Sequence, residues 1–312
     1  MYIILLIICV VFPEMTIETA KESILTWATN VLPSLLPFFI ISKCIYYNGG
    51  VVIFSKILKP LTKLLNVNEN FAFPFLMSLM CGYQTGSRTV ESMNLVNNKD
   101  FCANICYCAS PLFIIGTVGT AILKSTAKGY VLYLIHLCTF FIFSTFYSSK
   151  QQYENTTALN AKGNLSTAIS ESIPAILNVC GFMIFYRIII EILTSHLPQN
   201  IGAVLSGIIE FTSGIKKVSE FFNAPMPIIS FYLSFGGICV ITQCLSTLKN
   251  INKFNFIKNR LFCGAISYIL CFIYEKTALH VPVIITLIII ITAYLIRRKN
   301  SYWLKSAKSC EI

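Results

Sequence analysis

Charged side chains are scarce in this sequence of 312 residues. Asp, Glu, Lys and Arg together account for 12% of it, whereas roughly 25% is usual in a soluble domain. Hydrophobic residues account for 55%, and the mean hydropathy is +0.71. Several apolar runs approach or reach the roughly 18 to 20 residues that cross a bilayer. This balance excludes a soluble globular protein and predicts an all-α, polytopic membrane protein surrounded by lipid.

Residue patterns typical of enzymes are also missing. The sequence contains no Gly-x-Ser-x-Gly, no His-Glu-x-x-His and no Gly-x-x-x-x-Gly-Lys, the patterns of a serine hydrolase, a zinc protease and a phosphate-binding loop. The three histidines are isolated, and the few acidic residues form no catalytic pair. We therefore predict no enzyme activity, no cofactor and no metal site. Any transport must then be secondary or downhill.

The 13 cysteines are scattered through apolar segments. Cys102, Cys106 and Cys108 form a cluster whose spacing matches no zinc motif. Buried cysteine usually packs as a small hydrophobic residue, so we expect a structural role and no disulfide framework.

Basic residues exceed acidic residues by 11. They concentrate in short loops and in the C-terminal tail, which is typical of the signals that orient membrane helices. We therefore expect no nucleic-acid partner.

Two stretches of the sequence look like diverged copies of one another. VLPSLLPFFIIS from Val31 leads to FLMSLMCGYQTGSRTVES, and IPAILNVCGFMIF from Ile173 leads to AVLSGIIEFTSGIKKVSE. Residues 195–201, after the second copy's helix, contain no Lys or Arg, whereas the first copy's helix is followed by Lys43, Lys56, Lys59 and Lys63. Because basic loops stay in the cytoplasm, the copies face opposite ways. Gene duplication without transport is the alternative explanation.

These patterns predict one membrane domain, 1–312, built from two inverted repeats at 13–147 and 165–260. C-terminal helices and a basic tail follow at 261–312. Each repeat is predicted to hold a re-entrant helical hairpin, at 71–97 and 202–222. Residues 13–30 are predicted to run outside the membrane and 51–65 to form an interfacial helix. Inverted repeats with broken helices are typical of secondary transporters, whose site lies at the repeat interface.

The candidate site follows from the helix interruptions. Backbone that leaves a helix inside a membrane must line protein or a wet cavity. A helix that begins after such a break points its amides at the cavity, which suits a carboxylate or phosphate. Close helix packing is the alternative role of the glycines. The predicted substrate-binding residues at the breaks are Gly82, Tyr83, Thr85, Gly86, Ser87, Arg88, Ser110, Pro111, Thr212, Ser213, Gly214, Gly236 and Gly237.

Intramembrane charges are site candidates by default. Glu210 precedes a predicted break, and we expect it to serve ion coupling or structure, because a carboxylate repels an anionic substrate. Arg187 and Glu191 lie one helical turn apart and are expected to pair, with an anchor for substrate as the alternative role of Arg187. Arg88 beside the first break is expected to hold an anion bidentately.

Five motifs resemble the YlbJ family of sporulation integral membrane proteins, in the nucleoside-recognition or Gate-domain group. They are LPSLLPFFIIS from Leu32, CGYQTGSR from Cys81, CYCASPLFIIGTVG from Cys106, GIIEFTSGI from Gly207 and SFGGICVITQ from Ser234. The resemblance implies a fold related to concentrative nucleoside transporters and adds Phe113, Gly116 and Gln243 to the residues of interest, Gln243 among the substrate contacts. The family's Gly-Tyr-Pro-x-Gly is Gly-Tyr-Gln-Thr-Gly here, and Tyr107-Cys108 stands where an Asn pair is expected.

The resemblance also implies a place in endospore-forming bacteria and a role in loading dipicolinic acid across the outer forespore membrane. We therefore predict a transporter of a small anionic metabolite, with dipicolinate as the substrate. A nucleoside or other small-solute carrier is one alternative, and a membrane scaffold that assembles spore-envelope proteins is another. A coupling ion and a homo-oligomer are compatible with the sequence, which leaves both open.

Overall fold

A computed structural model describes residues 2–60, 62, 71–93, 99–147, 163–278 and 280–292. These residues are helical and contain no strand, which confirms the all-α prediction. Four predicted features lie outside the described residues: Lys63, the end of the first hairpin at 94–97, residues 148–162 of the polar linker, and the basic tail.

The N-terminal half begins with α1 (Tyr2–Val11), α2 (Pro13–Thr26), a π-helical turn (Trp27–Val31), α3 (Leu32–Tyr47) and α4 (Gly50–Ile57). It continues with α5 (Ala72–Cys81), α6 (Tyr83–Ser92), α7 (Lys99–Ile105), a π-helical segment (Leu112–Ile122) and α8 (Thr126–Tyr147). The C-terminal half contains α9 (Leu165–Thr194), α10 (Gln199–Ile209), α11 (Phe211–Phe221), α12 (Met226–Phe235), α13 (Gly237–Thr247), α14 (Lys253–Lys276) and α15 (His280–Thr292).

Five helical stretches among the described residues are long and apolar enough to cross a membrane: Pro13–Tyr47, Thr126–Phe146, Leu165–Thr194, Met226–Thr247 and Lys253–Lys276. Residues 13–30 are helical and continuous with the next segment, because α2 continues through the π-helical turn into α3. Their position outside the membrane stays a prediction. Helix α2 begins at Pro13. Proline suits this first position, because the backbone N–H that it lacks has no partner at the start of a helix.

The two longest helical stretches, α2–α3 and α9, pack side by side. Trp27 donates its indole N–H to the carbonyl of Ile176 at 3.1 Å. Phe39, Val179 and Met183 belong to a small apolar cluster between them, separate from the main core. We call α2–α3 and α9 together the long-helix pair; α4 and α5 pack against α3, and α10 and α13 pack against α9.

Two short helical hairpins occupy the places where the sequence predicted them. Helices α5 and α6 pack together in the first half, and α10 and α11 pack together in the second. The interruptions lie at Gly82 and Glu210, four residues before the Gly86 and Gly214 positions emphasised by the sequence. A Cβ at Gly86 would lie 2.2 Å from the carbonyl oxygen of Cys106, and a Cβ at Gly214 would lie 2.0 Å from the Cα of Gly207. These two glycines therefore allow close backbone packing, while their re-entrant position in a membrane stays a prediction.

A broken helix follows each hairpin. Between α7 and the π-helical segment, residues 106–110 leave the helix, which extends the predicted break at Ser110-Pro111 toward the N-terminus. Between α12 and α13 the chain turns at Gly236 and Gly237, with φ of 87° and 72°. Only glycine adopts such angles without strain, which explains the Gly-Gly pair at this break. Both halves thus contain a hairpin followed by a broken helix, in the same order, while their inverted relation stays a prediction.

The hairpin packing predicts the effect of a single methyl group. Gly214→Ala should destabilise the protein by about 1–3 kcal/mol, because its Cβ would overlap the backbone of Gly207. Gly181→Ala is the matched control: it lies in α9, and a Cβ there meets nothing within 4 Å. Thermal unfolding of both variants in detergent should give a lower Tm for the first and an equal or higher Tm for the second. Equal Tm values would contradict the packing role of Gly214.

Candidate functional site

A cavity of about 60 Å³ lies where the hairpin tips of both halves meet the long-helix pair. We call it the central cavity. It exceeds the roughly 10–15 Å³ that one water requires. Its polar wall contains Gly82, Tyr83, Gln84, Ser110, Glu210, Thr212 and Gln243. Its opposite wall, from α3 and α9, is formed mainly by Val31, Leu35, Val179 and Met183.

Hydrogen bonds join the two halves directly beside this cavity. The Gln84 side-chain amide donates from Nε2 to Oε1 of Gln243 at 2.7 Å. The Tyr83 hydroxyl donates to the carbonyl of Leu233 at 2.5 Å, and the Tyr107 hydroxyl donates to that of Phe235 at 3.3 Å. Hydrogen bonds between the two halves therefore hold the polar wall of the cavity together.

Glu210 caps the helix that follows it. The side chain is 1% exposed, and its carboxylate accepts the N–H of Thr212 at 2.8 Å and that of Ser213 at 2.9 Å. It also accepts the Ser213 hydroxyl at 2.9 Å. An anion that approached α11 would find these donors occupied and a negative charge in place. The expected anion-binding device at the second hairpin is thus filled by the protein's own carboxylate.

Arg187 faces Glu210 from α9. Its Nε donates to the Ser213 hydroxyl at 2.9 Å and lies 3.8 Å from the Glu210 carboxylate. Its Nη1 donates to the Thr26 hydroxyl at 3.2 Å. The expected Arg187–Glu191 pair is wrong, because Glu191 instead lies 4.0 Å from Lys217. Arg187 therefore has Glu210, buried at the second hairpin, as its partner, which the spacing of charges in the sequence could not identify.

The first hairpin lacks such a cap. Gly82 precedes α6 with φ 93° and ψ 179°, and no side chain among the described residues accepts a hydrogen bond from the first turn of α6. Gly82, Tyr83 and Gln84 line the central cavity, so the positive end of α6 points toward it. The two hairpins therefore share one arrangement of helices, but a glycine stands at the break of the first and a carboxylate at the break of the second.

The structure divides the predicted site residues among several places. Gly82, Tyr83, Ser110, Glu210, Thr212 and Gln243 line the central cavity. Ser213 lies beside it in the Arg187 cluster, whereas Thr85 and Arg88 line a separate cavity. Gly86 and Gly214 serve close packing. Ser87 is buried on α6 without lining the central cavity, and Pro111, Gly236 and Gly237 support the breaks without lining it.

His136, which looked isolated in the sequence, joins the two broken helices. Its Nε2 accepts the N–H of Ala109 at 3.0 Å, and its Nδ1 lies 2.9 Å from the Ser234 hydroxyl. An amide can only donate, so the ring proton belongs on Nδ1, which donates to Ser234. This histidine thus accepts one backbone amide at the first break and ties that break to the Ser234 side chain near the end of α12.

Arg260 is a second charged residue that the sequence patterns above do not identify. The structure buries it to 2% exposure in α14, where it donates to the carbonyls of Asn104 at 2.7 Å and Tyr107 at 3.4 Å. Its guanidinium lies 4.8 Å from the ring centre of Tyr107 and 5.2 Å from that of Phe143. The signal that could have found it is one arginine inside an apolar helical run.

Removal of the Arg260 side chain should destabilise the first broken helix. Arg260→Gln leaves buried carbonyls unpaired, and each such group costs about 1–3 kcal/mol. Lys258→Gln removes the same charge from an exposed position two residues away. Urea or thermal unfolding in detergent should show a clear loss for Arg260→Gln alone. Similar stability of the two variants would rule out this role of Arg260.

Comparison with known proteins gives a relative that agrees with this architecture. The chain is 24% identical to the sporulation integral membrane protein YlbJ of Bacillus subtilis (strain 168) over 329 aligned positions. The alignment covers 86% of this chain and 81% of the relative. No protein-family model matches the chain, and no solved structure matches it. The similarity along most of both chains, together with the membrane-spanning helices, supports membership of this chain in the YlbJ family of sporulation integral membrane proteins.

Proposed function

We propose that this protein is a transporter of a small anionic metabolite, dipicolinic acid, that acts during sporulation in the outer forespore membrane. The relative's name gives the setting, an integral membrane protein of sporulation. The observation that carries the proposal is the central cavity, where interrupted helices of both halves meet. A protein that only scaffolds other proteins has no use for broken helices around a buried polar cavity.

The charge arrangement favours an anion on the first-half side of this cavity. The uncapped end of α6 supplies backbone N–H groups and a positive dipole, and the Gln84 amide lies beside it. On the second-half side, the Glu210 carboxylate already occupies the first amides of α11. A small anion would therefore bind toward Gly82 and Gln84, away from Glu210.

Aromatic rings beside the cavity suit a planar solute. The rings of Tyr83 and Phe211 are 5.9 Å apart in an edge contact, and those of Phe113 and Phe211 are 5.2 Å apart. All three residues line the cavity. A pyridine dicarboxylate is planar, and so is a nucleobase, so a nucleoside carrier is the second candidate.

Loading of such a solute requires the cavity to enlarge, since its volume of about 60 Å³ holds only a few waters. The wall formed by the long-helix pair is mostly apolar, whereas the hairpins and broken helices are held together by hydrogen bonds. Separation along this seam breaks the fewest polar contacts. The Arg187 bonds to Ser213 and the Glu210 carboxylate cross the seam and would hold the closed state.

A charge placed at position 84 separates the two candidate substrates. Gln84→Glu puts a carboxylate beside the proposed anion position, and like charges repel strongly in a low-dielectric cavity. Uptake of radiolabelled dipicolinate into proteoliposomes should fall more than tenfold, while uridine uptake, if the protein has any, should fall far less. Gln199→Glu is the matched control, because Gln199 is exposed at the start of α10. Equal loss of both substrates would argue against an anion at this position.

Deletion of the gene in its host tests the physiological role. Dipicolinate should accumulate in the mother cell and fall in the spore, because the proposed step lies between these compartments. The acid is assayed separately in both fractions, with a complemented strain as the control. Normal spore dipicolinate would remove the substrate assignment. Spores that contain normal dipicolinate but carry a defective envelope would instead support the scaffold role.

A further inference from the structure

A second cavity lies beside the first hairpin, between α3, α6 and α9. Its volume is about 30 Å³, and we call it the Arg88 cavity. Charged groups on its wall are Lys43, Arg88 and Glu171, and hydroxyl groups come from Thr85, Ser92 and Ser172. Its apolar wall includes Phe39 and Phe73. The cavity thus combines a polar lining with the low-dielectric surroundings of a membrane protein.

Arg88 has no partner within the part of the chain that the structure describes. Its Nε is buried and makes no hydrogen bond, and no ion pair reaches its guanidinium there. Glu91, the acid one turn further along α6, accepts from Lys99 Nζ at 2.6 Å and from the N–H of Lys249 at 3.0 Å. Glu91, the acid nearest to Arg88 in sequence, therefore pairs with Lys99 and Lys249 and not with Arg88.

The other charges of this cavity neutralise each other. Lys43 lies 2.5 Å from the Glu171 carboxylate. One positive charge, that of Arg88, is left without compensation on the wall. Arg88 is half-buried, and its Nε is a buried donor without an acceptor, which is unfavourable. A planar fork of N–H donors fits two oxygens of a carboxylate or phosphate.

We propose that the Arg88 cavity is an oxyanion site, with Arg88 as the bidentate ligand and the paired Lys43 and Glu171 as a neutral part of its wall. The oxyanion is a carboxylate of a soluble metabolite or the phosphate of a lipid headgroup. Binding of one such group cancels the excess charge and gives the buried Nε an acceptor. This site is separate from the central cavity, since the two cavities share no lining residue.

The two cavities are nevertheless neighbours. Gln84 lines the central cavity and Thr85, the next residue, lines the Arg88 cavity, so α6 lies between them. An anion held by Arg88 is therefore one helix width from the uncapped start of α6. Use of the Arg88 cavity as a staging site for the transported anion rests on the proposed function, whereas the oxyanion site itself does not.

Arginine modification tests the site on the intact protein. Purified protein in neutral detergent is treated with phenylglyoxal, and peptide mass spectrometry reads the rate at Arg88. Millimolar dipicolinate or inorganic phosphate should slow modification at Arg88 by roughly ten- to a hundredfold relative to potassium chloride of equal ionic strength. Lys43→Gln leaves the Glu171 carboxylate without its positive partner on the cavity wall, so it should weaken the protection severalfold. Lys56→Gln, which removes an exposed charge on α4, should leave the protection unchanged.

A second arm separates the two sources of the oxyanion. The protein is placed in phosphatidylcholine vesicles with or without phosphatidylglycerol. Protection by phosphatidylglycerol alone assigns the site to a lipid headgroup, and protection by dipicolinate in phosphatidylcholine assigns it to a soluble anion. Equal modification of Arg88 under every condition, or no modification even without anions, overturns the proposal.

The outcome is also independent of transport. Gln84→Glu should abolish dipicolinate uptake and keep the protection at Arg88. Protection without uptake in the wild type would sink the transport proposal and leave this site standing. Dipicolinate uptake without protection of Arg88 would overturn this site and leave the transport proposal standing.

Discussion

The interrupted helices impose one constraint on the whole molecule: every amide and carbonyl released at a break must find a partner inside the protein. Arg260 donates to carbonyls next to the first break. His136 connects that break to the second broken helix, and Glu210 caps the second hairpin. Glu210 is local to its break, but His136 and Arg260 come from other helices, so the first break depends on tertiary packing. The cavity at their centre is a consequence of this packing.

The two hairpins differ in how the backbone amides released at the break are paired. The second hairpin carries its own carboxylate at the break, whereas the first begins α6 with a glycine and no side-chain cap. The two hairpins thus present different groups to the cavity, a carboxylate from the second and free backbone N–H groups from the first. An anion has a preferred side, and the half-buried Arg88, which lines the neighbouring cavity, adds positive charge to that side.

Packing divides the protein along a seam. On one side, hydrogen bonds from Tyr83, Gln84 and Tyr107 hold hairpins and broken helices together. On the other side, the long-helix pair meets them mostly through apolar residues and through Arg187. An apolar contact can separate without leaving polar groups unpaired, so this seam is the natural place for a change of shape. The cavities discussed above all lie along it.

The sequence alone determined the all-α membrane architecture, the two hairpins and the broken helices, because hydropathy and glycine placement act locally. It also placed Gly82, Ser110, Glu210 and Gln243 near one site. Only the tertiary structure decided which charges meet: Arg187 reaches Glu210 across 23 residues of sequence, and His136 and Arg260 pair with breaks in other helices. Gly86 and Gly214 became packing contacts for the same reason. Burial and distance between segments remote in sequence set these roles, and no local pattern encodes them.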